Sequence, residues 1–523
     1  MKNNTLEESN KLKQMYTLNL IANLNANYAT ETEAELYKNI LNINVCLEDP
    51  TVSGIVGKWK TVWGPAVGNT NYTRTYKKET IKHWATDNAL YIAQKEDTKE
   101  YFIGISGTNG VSLKGWFEQD FDVATSVPWE GIAIEGNPRI SQAGSTGLNA
   151  LLALKPAKGA KGQGTTFMDF LLKEVQNVDC SISVGGHSLG GCLTPLVATA
   201  LADKMQGAVN SNQYKGVKIN AYPTAGPTPG NQDFANHLQR QLNEYHAVYN
   251  TNDLVPLCWN FEGLQQLTKN YGSWKFGTHN IQPQHPIIAR FLYWASHYAK
   301  EQAYVRMPEK PNENFKVKVW ENTLIPIKKI ICTDDKIEQK INIIAGVLFF
   351  SSVKKSLSRI YNKDEWQTLK TFLRFLLQVL LQHVSAYNNP KTSNEKLPWQ
   401  FTDKERSAIH ELFNFRKKSR EKKKESREER KKKRKERKTK EKWTVATGIV
   451  LLTKLADLAA DWLDKNPINV AELEGVDLDI TTEIDTDLTV PETEEEAIAA
   501  LEKLLEESPE LVEALLFIGD SNI

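Results

Sequence analysis

The chain has 523 residues, of which 40% are hydrophobic and 25% are charged. This composition is typical of a globular protein that can bury a core of normal size. The formal net charge of +1 argues, taken alone, against a partner such as nucleic acid. The charge is uneven, however: residues 416–442 hold 18 basic and 6 acidic residues (+12), and residues 466–523 hold 17 acidic and 1 basic (−16).

Cysteine usage and the N-terminal residues predict a cytoplasmic protein. The five cysteines are widely spaced and form no CxxC pair, so neither a metal site nor a disulfide framework is predicted. The first residues, MKNNTLEESNKLKQ, lack the apolar core of a signal peptide. Residues 341–350 are too few to span a bilayer, and residues 443–463 carry three charged side chains, which favours a packed or surface-lying helix.

The first 390 residues predict an N-terminal lead-in and an α/β domain. Residues 1–84 form the lead-in, helical at first and irregular in the Gly-, Asn- and Thr-rich stretch 64–75. From residue 85, short apolar runs alternate with helical patterns, which indicates a mostly parallel central sheet flanked by helices. The predicted strands are 89–94, 101–106, 181–184, 218–222 and 245–249; the predicted helices are 167–178, 190–204, 232–243 and 365–387.

The remaining segments differ in character from the α/β domain. Residues 300–365 are interpreted as an insertion within the domain 85–390, and residues 391–442 as a linker followed by the basic run. Residues 443–523 predict an amphipathic helix and an acidic tail. The basic run 416–442 has no apolar stripe, which favours a solvated charged helix or a disordered segment. An anionic membrane surface or an acidic protein is the alternative partner. The run has no aromatic residues for base stacking, which disfavours nucleic acid.

The sharpest chemical feature is the pentapeptide Gly186-His187-Ser188-Leu189-Gly190. A short alternating strand precedes it and a helix of small residues follows. G-x-S-x-G in that context is the nucleophile elbow, in which a strand turns abruptly into a helix and presents the Ser at the tip. Ser188 is therefore the predicted nucleophile. His187 is interpreted as a packing residue that points away across the elbow, and not as the base.

Six segments together resemble the class 3 (fungal-type) lipase family of α/β-hydrolases. They occur in the family's order: YFIGISGTNG, GWFEQDF, SQAGSTGLNALLAL, VGGHSLGG, AGPTPGNQDFA and AVYNTNDLVP. The resemblance implies an α/β-hydrolase fold with a helical and charged C-terminal extension. It also implies a serine hydrolase that acts on lipid esters, with no cofactor and no metal.

The acid and the base follow from the chain order Ser, acid, His of α/β-hydrolases. Asp253 is the predicted acid, since it lies in a loop just after a predicted strand; the alternative is a turn aspartate. For the base, His383 is preferred because the family often has a Tyr four residues after this His, as Tyr387 stands here. His297 is the second candidate and His285 the third.

The resemblance also implies an oxyanion hole and a lid. The amide of Leu189 and the amide and hydroxyl of Thr108 are the predicted donors to the oxyanion. The family usually has Arg where Ser106 stands, which is a departure from its pattern. Residues 109–117 occupy the position of the lid, with an ordinary loop as the alternative. The apolar side chains expected to cover the acyl site are Val111, Leu113, Trp116 and Phe117.

Two functions from different classes follow from the sequence. The first is a lipase, esterase or phospholipase that forms an acyl-enzyme on Ser188. The second is a catalytically silent scaffold that binds lipid or protein through the basic run 416–442. The sequence predicts no oligomeric state and no acyl-chain length.

Overall fold

The protein is described here by a computed structural model. The described residues are 6–25, 29–30, 37, 43–76, 79–107, 123, 125–250, 253–263, 274–276, 279–281, 300–307, 383, 387, 399, 401–402 and 404–405. Among these residues, the helices with described ends are α1 (Leu6–Ala22), α2 (Ile43–Leu47), α3 (Pro50–Val56), α4 (Gln142–Ala153), α5 (Phe167–Glu174), α6 (Leu189–Gln206) and α7 (Gln232–Gln241). Short 3-10 turns occupy Asn23–Asn25, Ser211–Tyr214, Val255–Leu257 and Lys300–Gln302.

The strands of the described residues fall into three sheets. They are β1 (Ala29–Thr30), β2 (Trp59–Tyr76), β3 (Glu79–Lys95), β4 (Glu100–Ile105), β5 (Ser126–Pro128), β6 (Arg139–Ser141), β7 (Cys180–His187), β8 (Val217–Thr224), β9 (Gly230–Asn231), β10 (Glu244–Tyr245), β11 (Trp274–Phe276), β12 (His279–Ile281) and β13 (Tyr304–Val305). The large sheet has the order β1-β3-β4-β7-β8-β10, with β2 paired to β3. A small sheet has the order β13-β9-β6-β5, and β11 pairs with β12.

The centre of the large sheet is parallel. Strand β4 pairs with β7, β7 with β8, and β8 with β10, all in parallel, whereas β1 and β2 pair antiparallel with β3. The register aligns Ile105 with Gly186, and His187 with Thr224. The carboxyl ends of β4, β7 and β8 therefore meet at one edge of the sheet, where ligands of open α/β sheets usually bind.

Apolar side chains cover both faces of this sheet. On one face, helices α4, α5, α6 and α7 pack in one cluster with side chains of β3, β4, β7 and β8. On the other, α1, α2 and α3 form a second cluster that includes Tyr387, Trp399 and Phe401. The β7 strand is buried along nearly its whole length, as expected for a parallel strand covered on both sides. The predicted α/β-hydrolase-type fold is confirmed.

The stretch 64–75 was predicted to be irregular, and this was wrong. It lies within β2, which pairs with β3 from Trp59 to Tyr76. Register shifts between Thr61 and Asn69 accommodate the Gly and Pro residues without ending the strand. The Thr and Tyr residues that follow favour a strand, and the partner strand outweighed the local turn signals.

Other predicted elements differ mainly in their ends. The strand predicted at 245–249 is only Glu244–Tyr245, followed by a single bridge from Val248 to Thr224. The helix predicted at 365–387 is described only at His383 and Tyr387, both helical. Most of residues 300–365, the basic run and the acidic tail lie outside the described residues. Within the described part, no helix is long and apolar enough to cross a membrane.

Candidate active site

Ser188 lies between β7 and α6 and has a backbone conformation that residues other than glycine rarely adopt. Its φ is 63° and its ψ is −126°, and a non-glycine residue at positive φ stores backbone strain. Its N–H donates to Thr224 O at 3.0 Å, and Cys192 N donates back to Ser188 O at 3.1 Å. The strand, the sharp turn and the helix that were predicted around the Ser are all present.

Gly186 and Gly190 are required where the elbow crosses its neighbours. A Cβ on Gly190 would lie 2.4 Å from Ile105 O, and one on Gly186 would lie 2.5 Å from Gly190 C. Both distances are too short for any side chain, and the obstructing atoms are backbone. The two glycines of the pentapeptide therefore allow the strand and helix to approach closely enough to expose the Ser.

Ser188, His383 and Asp253 form one hydrogen-bonded line. Ser188 Oγ is 2.8 Å from His383 Nε2, and His383 Nδ1 is 2.8 Å from Asp253 Oδ2. Asp253 is fully buried and His383 is 6% exposed, whereas Ser188 is half-buried. The carboxylate can only accept, so Nδ1 of His383 carries the proton and Nε2 turns its lone pair toward the Ser hydroxyl.

The Asp253 carboxylate is fixed by three donors. Besides His383, the Tyr387 hydroxyl donates to Oδ2 at 3.0 Å and the Val255 N–H donates to Oδ1 at 3.0 Å. The Tyr387 oxygen in turn accepts the Asn250 N–H at 2.7 Å. Burial, with Asp253 nearby, raises the pKa of Tyr387 well above its ordinary value. Tyr387 therefore stays a neutral donor to the carboxylate.

His187 does not point away from the site as predicted. Its ring centroid is 5.0 Å from that of His383, and its Nε2 is 3.2 Å from the His383 carbonyl oxygen. It is 1% exposed, and burial together with the neighbouring His383 lowers its pKa well below the ordinary value. The prediction that His187 packs in the interior agrees with this burial, but its packing partner is the candidate base itself.

The turn after β4 and the start of α6 flank Ser188. Leu189 is the first residue of α6, so its N–H is among those that have no partner within the helix. Gly107 follows β4, and a Cβ there would lie 3.4 Å from Ser188 Cβ. The Gly107 N–H donates to Asn23 Oδ1 at 2.6 Å. Thr108, the other predicted oxyanion donor, lies outside the described residues.

Helix α1 packs against the C-terminal residues that accompany the triad. Tyr16 stacks on Trp399 with ring centroids 4.5 Å apart and planes at 14°. The Trp399 Nε1–H donates to Tyr387 O at 3.4 Å. Lys13 and Glu405 form an ion pair at 2.8 Å. Sequence reasoning missed this helix as part of the site; the signal present was a polar residue, Asn19, within the apolar run of α1.

The described residues offer no site for a metal ion: no three His, Cys, Asp or Glu side chains cluster suitably among them. Within the same part of the chain, the cysteines Cys46, Cys180, Cys192 and Cys258 are free thiols and buried. Burial and the nearby Asp253 raise the pKa of Cys258 well above its usual range. This thiol therefore stays protonated and does not compete with Ser188 as a nucleophile.

The remaining predicted site residues lie outside the described part of the chain. They are Thr108, Val111, Leu113, Trp116, Phe117, His285 and His297. The structure thus brings together Ser188, Asp253 and His383, the three residues named first for the triad, and it places Leu189 beside them. Their catalytic roles stay predictions.

A serine on a strand–turn–helix elbow, with a His and a buried Asp at the carboxyl edge of a parallel sheet, has the geometry of a serine hydrolase of the α/β-hydrolase class. The profile of the family described as Lipase (class 3) matches residues 145–262. That region holds both Ser188 and Asp253. The predicted resemblance to this family is confirmed, and with it the enzyme class, a lipase or carboxylic ester hydrolase.

Several solved lipase structures are similar to this chain. M37 lipase is 29% identical, with a TM-score of 0.45, over 57% of this chain and 84% of that one. A lipase from Rhizopus microsporus var. chinensis is 15% identical, with a TM-score of 0.32, over 49% and 70%. A Rhizomucor miehei lipase–propeptide complex is 18% identical, with a TM-score of 0.32, over 49% and 64%. No curated protein matches the sequence.

Proposed function

We propose that this protein hydrolyses carboxylic esters of lipids through an acyl-enzyme on Ser188, with His383 as general base and Asp253 as the orienting acid. The observation that carries the proposal is the continuous line Ser188–His383–Asp253, with both contacts at 2.8 Å. A serine hydroxyl is a poor nucleophile until a base removes its proton. His383 Nε2 is within the distance that such a transfer requires.

The reaction follows from where the protons are. His383 Nε2 accepts the Ser188 proton while Oγ attacks the ester carbonyl, and the same nitrogen then protonates the departing alcohol. Water attacks the resulting acyl-Ser188, again with His383 as base, and releases the carboxylic acid. Asp253 holds the imidazole in the required tautomer and stabilises the imidazolium that forms after each proton transfer.

The negative oxygen of each tetrahedral intermediate is assigned to the N–H of Leu189 and to Thr108. The α6 N-terminus supports this, since its amides and its dipole favour negative charge beside Ser188. The acyl chain is assigned to the apolar cover of Val111, Leu113, Trp116 and Phe117. These assignments rest on the resemblance to class 3 lipases.

The basic run 416–442 suits binding to an anionic membrane surface. Residues 416–442 carry 18 basic and 6 acidic residues, and each Lys or Arg near an anionic membrane surface contributes about 1 kcal/mol of attraction. We propose that the enzyme is cytoplasmic and that this run concentrates it at anionic membranes. A lipid ester at such a surface is then close to Ser188.

Phosphonate labelling tests the proposed nucleophile. A fluorescent alkyl phosphonate should label the wild type, and Ser188→Ala should abolish both labelling and turnover of a chromogenic ester. Ser211→Ala is the matched control because Ser211 is an exposed serine, and it should label like the wild type. Labelling that persists in Ser188→Ala, or a wild type that does not label, contradicts the proposal and favours a silent scaffold.

The identity of the base is tested by two histidine variants. His383→Ala should slow labelling by about 10³- to 10⁴-fold because the nucleophile loses its base. His297→Ala should label at the wild-type rate. The reverse pattern would transfer the role of base to His297.

A further inference from the structure

Helix α1 presents a polar face to the active-site edge of the sheet. Tyr16, Asn19 and Asn23 are spaced by three and four residues, so they lie on one side of α1 and of the turn that follows it. Asn19 is 0% exposed and Asn23 is 7% exposed. Burying a polar side chain in the middle of a helix costs free energy unless its polar atoms form hydrogen bonds.

Asn19 reaches the strand beside the elbow. Its Nδ2 donates to Tyr222 O at 3.0 Å and to Thr224 Oγ1 at 3.2 Å. Its Oδ1 is buried and has no hydrogen-bond partner among the described residues. Rotating the amide would turn Oδ1 toward the Tyr222 carbonyl, which can only accept, so the orientation is fixed. The two donated hydrogen bonds therefore fix the orientation of the Asn19 amide and offset part of the cost of burying it.

Thr224 passes this contact on to His187. Thr224 ends β8, and its Oγ1 lies 3.1 Å from Gly186 O and 3.3 Å from His187 Nδ1. The hydroxyl has one proton, so it donates to one of these atoms at a time and accepts from Asn19. Gly186 and His187 belong to the pentapeptide that contains the nucleophile.

His187 completes the connection to the candidate base. A carbonyl oxygen only accepts, so the contact of 3.2 Å between His187 Nε2 and His383 O requires that Nε2 carries the proton. Burial keeps the imidazole neutral by lowering its pKa. Nδ1 therefore carries no proton and is an acceptor for the Thr224 hydroxyl, whose single proton is shared between Nδ1 at 3.3 Å and Gly186 O at 3.1 Å. With that proton on the Nδ1 side, the donated bonds run in one direction, from α1 to the backbone of His383.

We propose that a hydrogen-bonded relay from Asn19 through Thr224 and His187 to the carbonyl oxygen of His383 positions the base, so that α1 contributes to the rate without touching substrate. This inference rests on the proposed function, because it needs His383 to be the base. The same face of α1 supports it at two further points. Asn23 Oδ1 accepts the Gly107 N–H, and Tyr16 lies edge-on against His187 with centroids 6.2 Å apart.

A matched pair of variants at Thr224 tests the relay. Thr224→Val keeps the shape of the side chain and removes the hydroxyl, whereas Thr224→Ser keeps the hydroxyl. For a soluble ester, Thr224→Val should lower kcat by about 10- to 100-fold with KM nearly unchanged, since a small displacement of a catalytic group has effects of this size. Thr224→Ser should stay within about threefold of the wild type.

A double variant separates the relay from general destabilisation. Asn19→Leu alone should lower kcat about as much as Thr224→Val. Because either change interrupts the same chain of bonds, the double variant should lose little more than one single variant, whereas independent structural defects would add. Equal kcat values for the Ser and Val variants, or fully additive losses, overturn the relay.

A spectroscopic readout keeps the relay testable without any turnover. In the full chain with ¹⁵N-labelled histidine, the His187 signals, assigned by their loss in His187→Gln, should show a protonated Nε2 and a bare Nδ1 at neutral pH. The opposite tautomer overturns the relay even if the enzyme is active. A wild type with the expected tautomer that fails to label with phosphonate contradicts the proposed function instead.

Discussion

The single hydroxyl group of Tyr387 links Asp253 to the backbone of Asn250. It donates to Asp253 Oδ2 at 3.0 Å and accepts the Asn250 N–H at 2.7 Å. Asp253 is thereby tied to a residue one helical turn after the His that it orients. In the proposed mechanism, this contact helps to keep the His383–Asp253 distance of 2.8 Å constant while protons are transferred.

Substitutions at these two residues should have graded effects. Asp253→Asn should lower kcat by about 10⁴-fold, because an amide at that position favours the wrong His383 tautomer. Tyr387→Phe should lower kcat only about 3- to 10-fold, since it leaves the His383–Asp253 bond in place. It should also lower the free energy of unfolding by about 0.5–1.5 kcal/mol for each hydrogen bond lost. Steady-state kinetics and urea unfolding measure both; equal kcat losses would contradict this order.

His187 should make stability depend on pH in the mildly acidic range. Its pKa is lowered in the folded protein by burial and by His383, so below about pH 6.5 the unfolded chain binds a proton that the folded protein does not. The stabilisation is complete above that pH and is lost as the pH falls toward the folded-state pKa. The slope from this residue is at most about 1.4 kcal/mol per pH unit.

The variant His187→Gln isolates this slope. Urea unfolding of the wild type and of His187→Gln between pH 7.5 and pH 5 should give curves that converge as the pH falls, because only the wild type has this histidine to protonate on unfolding. Parallel curves would mean that His187 titrates alike in both states.

At the residue scale, the sequence predicts the elbow, the acid and the base, because each is tied to a motif or to chain order. It does not predict what surrounds them. His187 was expected to point away from the site, and the sequence has no means of showing that a carbonyl from residue 383 comes within 3.2 Å of its ring. Asn23 and Thr224 carry no motif at all, and only their neighbours in space give them a role.

At the scale of elements, α1 is fixed to the C-terminal residues that accompany the triad. Tyr16 is 1% exposed and stacks on Trp399, while Lys13 pairs with Glu405. On the same helix, Lys11 makes an ion pair with Glu100 at 3.4 Å, and its side chain is 35% exposed. Tyr16 and Lys11 therefore differ in role, although both lie on α1. Tyr16 makes a buried packing contact, whereas Lys11 makes a partly exposed ion pair.

Replacing these two residues should separate packing from surface charge. Tyr16→Ala should lower the free energy of unfolding by about 3–5 kcal/mol, the usual cost of removing a buried aromatic ring. It should also lower kcat, because Trp399 and Tyr387 lose their support. Lys11→Ala should change stability by about 0–1 kcal/mol, as exposed ion pairs do. Thermal unfolding and ester turnover measure both; similar losses in the two variants would contradict this role of α1.

The sequence predicts the parallel centre of the sheet better than its surroundings. Strands β4, β7 and β8 are short apolar runs, and helices lie between β4 and β7 and between β7 and β8. This alternation of strands and helices predicts parallel pairing. Strand β2 was missed because Gly and Pro residues break its pattern, whereas pairing with β3 along its length holds it extended. The small sheet of β5, β6, β9 and β13 consists of strands of two or three residues, too short for any periodicity to appear.

At the scale of the whole molecule, charge is separated along the chain. Replacing residues 416–442 with an uncharged linker of equal length should abolish co-sedimentation with phosphatidylserine-containing vesicles at low salt. Turnover of a soluble ester should remain unchanged, because the run lies apart from the triad in the sequence. Binding of the full chain should weaken as salt rises. Equal binding by the wild type and the replaced chain would contradict the membrane proposal.

The contact between Lys13 and Glu405 joins residues 392 positions apart. A ribosome that adds about 5–20 residues per second needs on the order of 20–80 s to synthesise that interval. For about this time α1 exists without the aromatic residues that cover Tyr16. Ser188 and His383 are 195 positions apart, so Ser188 exists without His383 for about half as long. In the proposed mechanism, the nascent chain therefore carries an uncovered α1 and a serine without its base. We expect hydrolytic activity to begin only after Trp399 packs on Tyr16 and His383 lies beside Ser188.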